Sequence, residues 1–144
     1  MLRQFLLGAG VSLGNIAIHA LVMAAVVWTA RTVRARSGQH PPLRLMAVMI
    51  ATVSVLMAAH VCEVMVWSLA YEMVDAAAAG ADVIYFAFVN YTTLGYGDVI
   101  PVERWRLIGP LTAMNGMLLF GWSTAVIFEV LRKTMLEGSS LEAA

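Results

Sequence analysis

The residues with the clearest chemical potential are those of Thr93-Leu94-Gly95-Tyr96-Gly97, where glycines alternate with larger residues. Glycine tolerates backbone angles that other residues avoid, so successive carbonyl groups of such a segment can all point to one side. Stacked carbonyl oxygens, with the Thr93 hydroxyl as the innermost set, suit a dehydrated hard cation. Neutral oxygen ligands without carboxylates favour weakly hydrated monovalent ions. The segment therefore predicts a binding path for monovalent cations.

A short helix just before this segment must position it. Asp82 is a favourable N-cap, and the apolar stretch 83–91 follows it. A helix of this size is only about 15 Å long, too short to cross a bilayer, so we expect it to enter the membrane and return. Irregular backbone is tolerated inside a membrane only where it is buried in protein or lines a wet cavity. The alternating glycines that follow the helix would provide such a lining.

The composition is that of a membrane protein. Hydrophobic residues make up 61% of the 144 residues and charged residues only 12%, a mixture that a soluble domain of this size cannot bury and a disordered chain does not show. Basic and acidic residues balance to zero net charge, so a nucleic-acid partner is not expected. The single cysteine, Cys62, excludes a disulfide framework or a thiolate zinc site within one chain.

Three apolar stretches, at approximately residues 5–30, 45–71 and 107–131, are long enough to span a bilayer as helices. The first is too long for a signal peptide and ends in arginines, which favours a spanning helix. The predicted fold is an all-α membrane protein with three transmembrane helices and one re-entrant helix with its loop. Basic residues cluster at 31–44 and 132–133, which places the N-terminus outside and the C-terminus in the cytoplasm.

The sequence Thr-Thr-Leu-Gly-Tyr-Gly-Asp at residues 92–98 resembles the selectivity filter of potassium channels, whose usual form is Thr-Val-Gly-Tyr-Gly. The order of helices over residues 45–133 is similar to the pore domain of that family. The resemblance implies a homotetramer that conducts K⁺ passively, with K⁺ as permeant ion and no cofactor. The implied filter residues are Thr93, Leu94, Gly95, Tyr96 and Gly97, of which the first four carry the K⁺ sites, with Asp98 at the outer mouth.

The resemblance divides the chain into an extra N-terminal transmembrane helix (1–32), a cytoplasmic hairpin (33–44), the pore domain (45–133) and a short cytoplasmic tail (134–144). The extra helix, His60-x-x-Glu63 and Asn115-Gly116 together resemble a group of small bacterial channel proteins, which implies the inner (plasma) membrane. The arginines of the first helix lie beyond its apolar stretch, so it is no voltage sensor, and membrane lipid is their expected partner. No hydrolase motif or nucleotide loop is present, so neither enzymatic activity nor a small-molecule substrate is expected.

The pore-helix region departs from the family pattern at several positions. Val89 stands where some bacterial channels carry a glutamate that pairs with the mouth aspartate, and Tyr85 and Phe86 stand where many relatives carry tryptophans. Asp98 therefore needs another partner, or water. Two alternatives to a potassium-selective channel stay open: a weakly selective cation channel, and a non-conducting sensor or subunit built on the pore fold.

The third apolar stretch should line the cavity below the filter. Gly116 lies close to the gating-hinge glycine of potassium channels, but a glycine there also permits close helix packing. If it is the hinge, one helical face lines the pore and two phenylalanines on it form a hydrophobic gate. The residues of that face are Met117, Phe120, Thr124, Ala125 and Phe128.

Two ionisable residues, His60 and Glu63, lie inside the second stretch, where a charge is costly unless it is paired or hydrated. Their spacing puts them on one helix face, and counting along the spans places Asn15 at the same depth. One hypothesis is a polar clamp that docks the extra helix onto the pore domain. The other is a pH sensor, because a His–Glu pair can change charge near physiological pH. Further metal ligands are not evident beside them.

Overall fold

The computed structural model describes the backbone of residues 1–36 and 41–142, and the side chains of residues 1–33 and 42–136. Within these ranges the α-helices are α1 (Leu2–Arg36), α2 (Pro41–Met73), α3 (Val83–Tyr91) and α4 (Ile108–Glu142), with a 3-10 turn at Glu103–Trp105. α1, α2 and α4 are long and apolar enough to cross a membrane. The predicted all-α fold with three spanning helices is confirmed.

The helices extend into the segments predicted as hairpin and tail. α1 reaches Arg36 and α2 begins at Pro41, so residues 33–36 and 41–44 of the predicted hairpin are helical. Residues 37–40 lie outside the described part of the chain. Proline suits the first turn of a helix, because its missing N–H would have no intrahelical partner there. α4 likewise continues to Glu142, into the predicted tail.

α3 begins where its sequence predicts. Asp82 has an extended backbone and its carboxylate accepts a hydrogen bond from the Tyr85 N–H at 3.0 Å. This contact satisfies one of the free N–H groups of the first helical turn. The helix has 9 residues, so it is far too short to span a bilayer.

Aromatic packing fixes α3 against its neighbours. α3 packs against both α2 and α4, and α1 packs against the same two helices. The rings of Tyr71 on α2 and Phe86 on α3 lie 5.1 Å apart, and both side chains are buried together with Trp67, Tyr91 and Ile108. Burying rings of this size supplies much of the stabilisation of a small core. The core therefore lies at the level of α3 and holds that helix in place.

Hydrogen bonds tie together the two ends of the segment that contains α3. The Val102 N–H donates to the Ala76 carbonyl at 2.8 Å, and the Ala76 N–H donates to the Tyr71 carbonyl at 2.9 Å. The Leu107 N–H donates to the Gln4 side chain at 2.8 Å, which joins α1 to the start of α4. Both ends of the loop are thus anchored on spanning helices.

Candidate functional site

The segment after α3 has an alternating backbone. Thr93, Gly95 and Gly97 have φ angles of 61°, 58° and 80°, whereas the intervening Leu94 and Tyr96 lie outside the positive-φ region. When the sign of φ alternates from residue to residue, successive carbonyl groups can turn to the same side. A carbonyl-lined ion path requires this arrangement. Thr93 is β-branched and adopts this conformation only with strain, a feature that tends to mark functional sites.

The start of this segment is anchored to the last turn of α3. The Leu94 N–H donates to the Val89 carbonyl at 2.9 Å, and the Thr93 N–H donates to the Asn90 carbonyl at 3.0 Å. The Thr92 hydroxyl donates to the Phe88 carbonyl at 2.7 Å. The position of α3 therefore sets the position of the first carbonyls.

Residues 92–98 are all exposed within the single chain. Leu94 retains 53% and Tyr96 69% of its possible exposed surface. Large apolar and aromatic side chains that are exposed in a row mark a surface that another molecule covers. One strand of carbonyls does not surround an ion by itself.

Asp98 has a protein partner that the sequence analysis did not identify. The Tyr85 hydroxyl donates to Oδ2 of Asp98 at 2.7 Å, and the Val99 N–H donates to Oδ1 at 3.1 Å. The hydrogen bond from Tyr85 holds the pKa of Asp98 below its usual range. Tyr85, noted above only as a departure from the family pattern, supplies the donor that anchors the mouth carboxylate to α3.

At Gly116, α4 packs directly against the backbone of α3. A Cβ atom on Gly116 would lie 2.1 Å from the Tyr91 carbonyl oxygen, a distance that no packing tolerates. Tyr91 is the last residue of α3. Of the two roles considered for Gly116, the structure provides direct contacts for close packing, and the hinge stays a prediction.

The face of α4 predicted to line a pore is largely open in the single chain. Met117, Thr124, Ala125 and Phe128 are exposed. Phe120 is also exposed, at 38%, but the centroid of its ring lies 4.5 Å from that of His60 and 5.4 Å from that of Tyr91. Its side chain therefore belongs in part to the interior of the chain, and the gate at Phe120 and Phe128 stays a prediction.

A closed set of buried polar side chains joins three helices, and we call it the buried polar ring: His19, His60, Glu63 and Ser123. Nδ1 of His19 lies 2.8 Å from Oε1 of Glu63, and Nδ1 of His60 lies 2.9 Å from Oε2. Nε2 of His60 lies 2.9 Å, and Nε2 of His19 3.4 Å, from the Ser123 hydroxyl. All four residues are buried.

Further polar contacts link this ring to α1 and α3. The Asn15 amide donates to the Glu63 carbonyl at 3.1 Å and to the Asn115 side chain at 3.2 Å, and the Trp67 indole donates to the same Asn115 oxygen at 3.0 Å. The Tyr91 hydroxyl donates to Oε2 of Glu63. The structure thus brings Asn15, His60 and Glu63 together, at the depth that counting along the spans predicts.

His19, Ser123 and Tyr91 are further members of this network, which the spacing of Asn15, His60 and Glu63 alone does not predict. A signal was present for His19, which lies one helical turn after Asn15 and so shares its face. One nitrogen or oxygen each from His19, His60 and Glu63 lie within 4.8 Å of one another, a spacing that a metal ion could use. Those nitrogens already have hydrogen-bond partners in the ring, so the geometry suits protons first.

Comparison with known proteins gives one positive result. A family described as ion channel matches residues 59–133, slightly more than half of the chain, from the middle of α2 through the alternating segment to α4. Searches of curated proteins and of solved structures found no match. The matched region contains the short helix, the alternating carbonyl segment and Gly116, and this chain belongs to the two-transmembrane ion-channel family of the potassium-channel pore type.

Proposed function

We propose that the protein is a potassium-selective channel in which four chains surround one carbonyl-lined filter at Thr93–Gly97. The observation that carries the proposal is the alternating backbone of this segment, with positive φ at Thr93, Gly95 and Gly97, in a sequence that ends in Gly-Tyr-Gly-Asp. Neutral carbonyl cages favour a weakly hydrated monovalent cation over a strongly hydrated one. The path supplies ion sites at Thr93, Leu94, Gly95 and Tyr96.

The location proposed is a bacterial inner membrane, with the N-terminus outside and the C-terminus in the cytoplasm. The arginines within residues 31–44, with Arg132 and Lys133 near the end of the third apolar stretch, support this orientation. The filter mouth at Asp98 then faces outward. α1 is an addition to the two-helix pore and docks through Asn15 and His19.

Ion flux from purified protein in liposomes tests the proposal. We expect uptake of K⁺ that exceeds uptake of Na⁺, because the carbonyl sites match the less hydrated ion. Equal fluxes of the two ions would identify a weakly selective cation channel. Absence of flux from a folded protein in the membrane would identify a non-conducting sensor or subunit, and either result would contradict the proposal.

A second prediction concerns assembly. We expect the protein extracted in mild detergent to be a tetramer by native mass spectrometry, because one chain contributes one filter strand and closed cyclic symmetry completes the ring of oxygens. The open apolar face of α4, with Met117 and Phe128 exposed, offers the contact surface near the axis. A monomer that still conducts would contradict the model.

Tyr85→Phe should make conduction more sensitive to acid. The hydrogen bond from Tyr85 lowers the pKa of Asp98. The Asp98 carboxylate at the outer end of the filter therefore stays charged until the pH falls through that lowered value. Without the hydroxyl the pKa of Asp98 rises toward its ordinary value, and we expect flux to decline at a higher external pH than in the unmodified channel. The measurement is K⁺ flux during stepwise acidification.

Tyr85→Trp is the matched variant for this experiment, since the indole N–H restores a donor on a larger aromatic side chain. We expect it to recover much of the tolerance to acid. If K⁺ flux falls at the same acidic pH in all three proteins, the Tyr85–Asp98 contact does not stabilise the outer end of the filter.

A further inference from the structure

The buried polar ring has no direct role in ion conduction through the proposed filter. Its members come from three spanning helices: His19 from α1, His60 and Glu63 from α2, and Ser123 from α4. His19 and Glu63 are completely buried, and Ser123 and His60 retain 5% and 9% of their possible exposure. Ionisable groups at this depth in a membrane are costly and usually have a function.

The number of protons in the ring follows from its hydrogen bonds. Each oxygen of the Glu63 carboxylate faces an Nδ1 atom, and Nδ1 of His60 also lies 3.0 Å from the Tyr91 hydroxyl, which itself donates to Glu63. With Glu63 ionised, both histidines therefore carry a proton on Nδ1 and donate to its carboxylate. Both Nε2 atoms then face the Ser123 hydroxyl, which has only one proton to give. With two neutral histidines, one Nε2 atom is left without a donor.

One additional proton completes the ring. If His19 carries it, its Nε2–H donates to the Ser123 oxygen, and the Ser123 hydroxyl donates to Nε2 of His60. Every polar atom of the four side chains then has a suitable partner, and the reverse arrangement, with the proton on His60, is equally complete. A shift of protons through Ser123 interconverts the two arrangements.

The charge balance also calls for this proton. Glu63 forms its ion pairs with the two histidines and, among the described residues, with no lysine or arginine. The groups facing the ring are the Tyr91 hydroxyl from α3 and, from α4, the aromatic rings of Trp122 and Phe120. With both histidines neutral, the ionised carboxylate would be an uncompensated buried charge, which is strongly unfavourable.

We propose that the buried polar ring is a proton-binding site, which holds one proton between His19 and His60, and that Tyr91 transmits its occupancy to the filter. The Tyr91 hydroxyl binds Glu63, its carbonyl lies against Gly116, and the next residues along the chain are Thr92 and Thr93. The effect on flux rests on the proposed channel function, whereas proton binding itself does not.

The direction of the effect follows from the structure. The distances between the nitrogen and oxygen atoms match the hydrogen bonds of the proton-bound ring, and the filter segment in the same structure has the alternating backbone. Loss of the proton at higher pH leaves a buried negative charge and one unmatched acceptor, so the ring rearranges and Tyr91 loses its fixed partner. Flux and folded-state stability should therefore fall as the pH rises through the titration of the ring.

Nitrogen-15 NMR of the histidine side chains in lipid nanodiscs tests proton binding directly. The chain has 3 histidines, so the measurement uses the His40→Gln background, which leaves the two of the ring. We expect a shared imidazolium proton below the midpoint and its release above it. Glu63→Gln should move that release to lower pH by about one unit or more, because it removes the charge that the proton balances.

Ser123→Ala is the second variant, and it changes little volume. The hydroxyl makes two hydrogen bonds in the proton-bound ring and one in the proton-free ring, so its loss should also shift the release to lower pH. Two histidines that stay neutral throughout, or a release that neither variant moves, would overturn the proposal. So would one equivalent of added Zn²⁺ that displaces the ring protons at neutral pH, which would make the site a metal centre.

K⁺ flux at different pH values tests the coupling. We expect flux to fall with rising pH in the unmodified channel and in His40→Gln, and to lose most of this dependence in Tyr91→Phe, which keeps the ring but removes the hydroxyl that contacts it. A Tyr91→Phe channel with unchanged pH dependence would overturn the coupling. If no protein conducts, the proposed function fails, and the backbone NMR signals of Thr92 and Thr93 across the same pH range decide the coupling.

Discussion

Gly95→Ala should abolish K⁺ conduction while leaving the protein folded. Gly95 has a φ of 58°, and a Cβ atom there would meet only the Thr93 carbonyl oxygen at 3.9 Å, so the problem is the backbone conformation and not crowding. An L-residue in this conformation costs about 1 kcal/mol per chain. Over four filter strands the sum is roughly 4 kcal/mol, which lowers the conductive population about a thousandfold.

The chain offers a close control for this change. Gly80 has a φ of 83° and open space around it, but it lies in the loop before α3 and outside the filter. Gly80→Ala should cost a similar amount of backbone strain and leave K⁺ flux largely intact. The measurement is flux from liposomes with equal amounts of each tetramer. Normal flux through Gly95→Ala would remove the filter assignment.

Gly116→Ala should disrupt the packing of α4 against α3 and impair the filter with it. The added methyl group would overlap the Tyr91 carbonyl oxygen, which is backbone and cannot rotate away, so the two helices must separate. Overpacking of this kind typically costs about 1–3 kcal/mol. We expect lower thermal stability in detergent and a changed K⁺ to Na⁺ flux ratio, because Tyr91 immediately precedes Thr92 and the filter.

Gly121→Ala is the matched control, since it lies on the same helix and nothing stands within 4 Å of the added Cβ. It should leave both stability and ion preference unchanged. The hinge hypothesis predicts a different outcome for Gly116→Ala: a lower open probability with normal stability and normal ion preference. Single-channel recording and thermal unfolding together decide between packing and hinge.

The sequence predicts the local features of the site well. Asp82 as N-cap, the short helix behind it and the alternating conformation at Gly95 and Gly97 all depend on residues close together in the chain. Depth along a spanning helix is also predictable, because the rise per residue is fixed. This fixed rise places Asn15 and Glu63 at one level, and the two residues are hydrogen-bonded in the structure.

What the sequence does not predict is the rotation of one helix against another. α1 and α2 are apolar on nearly all sides, so hydrophobic periodicity does not reveal which face of α1 meets α2. Only the helical face that His19 shares with Asn15 points to its contact with Glu63. The contact of Gly116 with Tyr91 depends on how closely α3 approaches α4, which three-dimensional packing decides. The Tyr85–Asp98 hydrogen bond likewise requires the course of the filter loop.

The position of His19 on the first helix has a consequence for biosynthesis. A ribosome delivers α1 to the membrane before α2, so Asn15 and His19 are already in place when Glu63 arrives. Inserting a lone carboxylate in a nascent spanning helix costs several kcal/mol. Asn15 donates a hydrogen bond to the backbone carbonyl of Glu63, and the imidazole of His19 forms a hydrogen bond with its carboxylate. α1 thereby offers hydrogen-bond partners to the acidic residue of α2 before α3 and α4 have been synthesised.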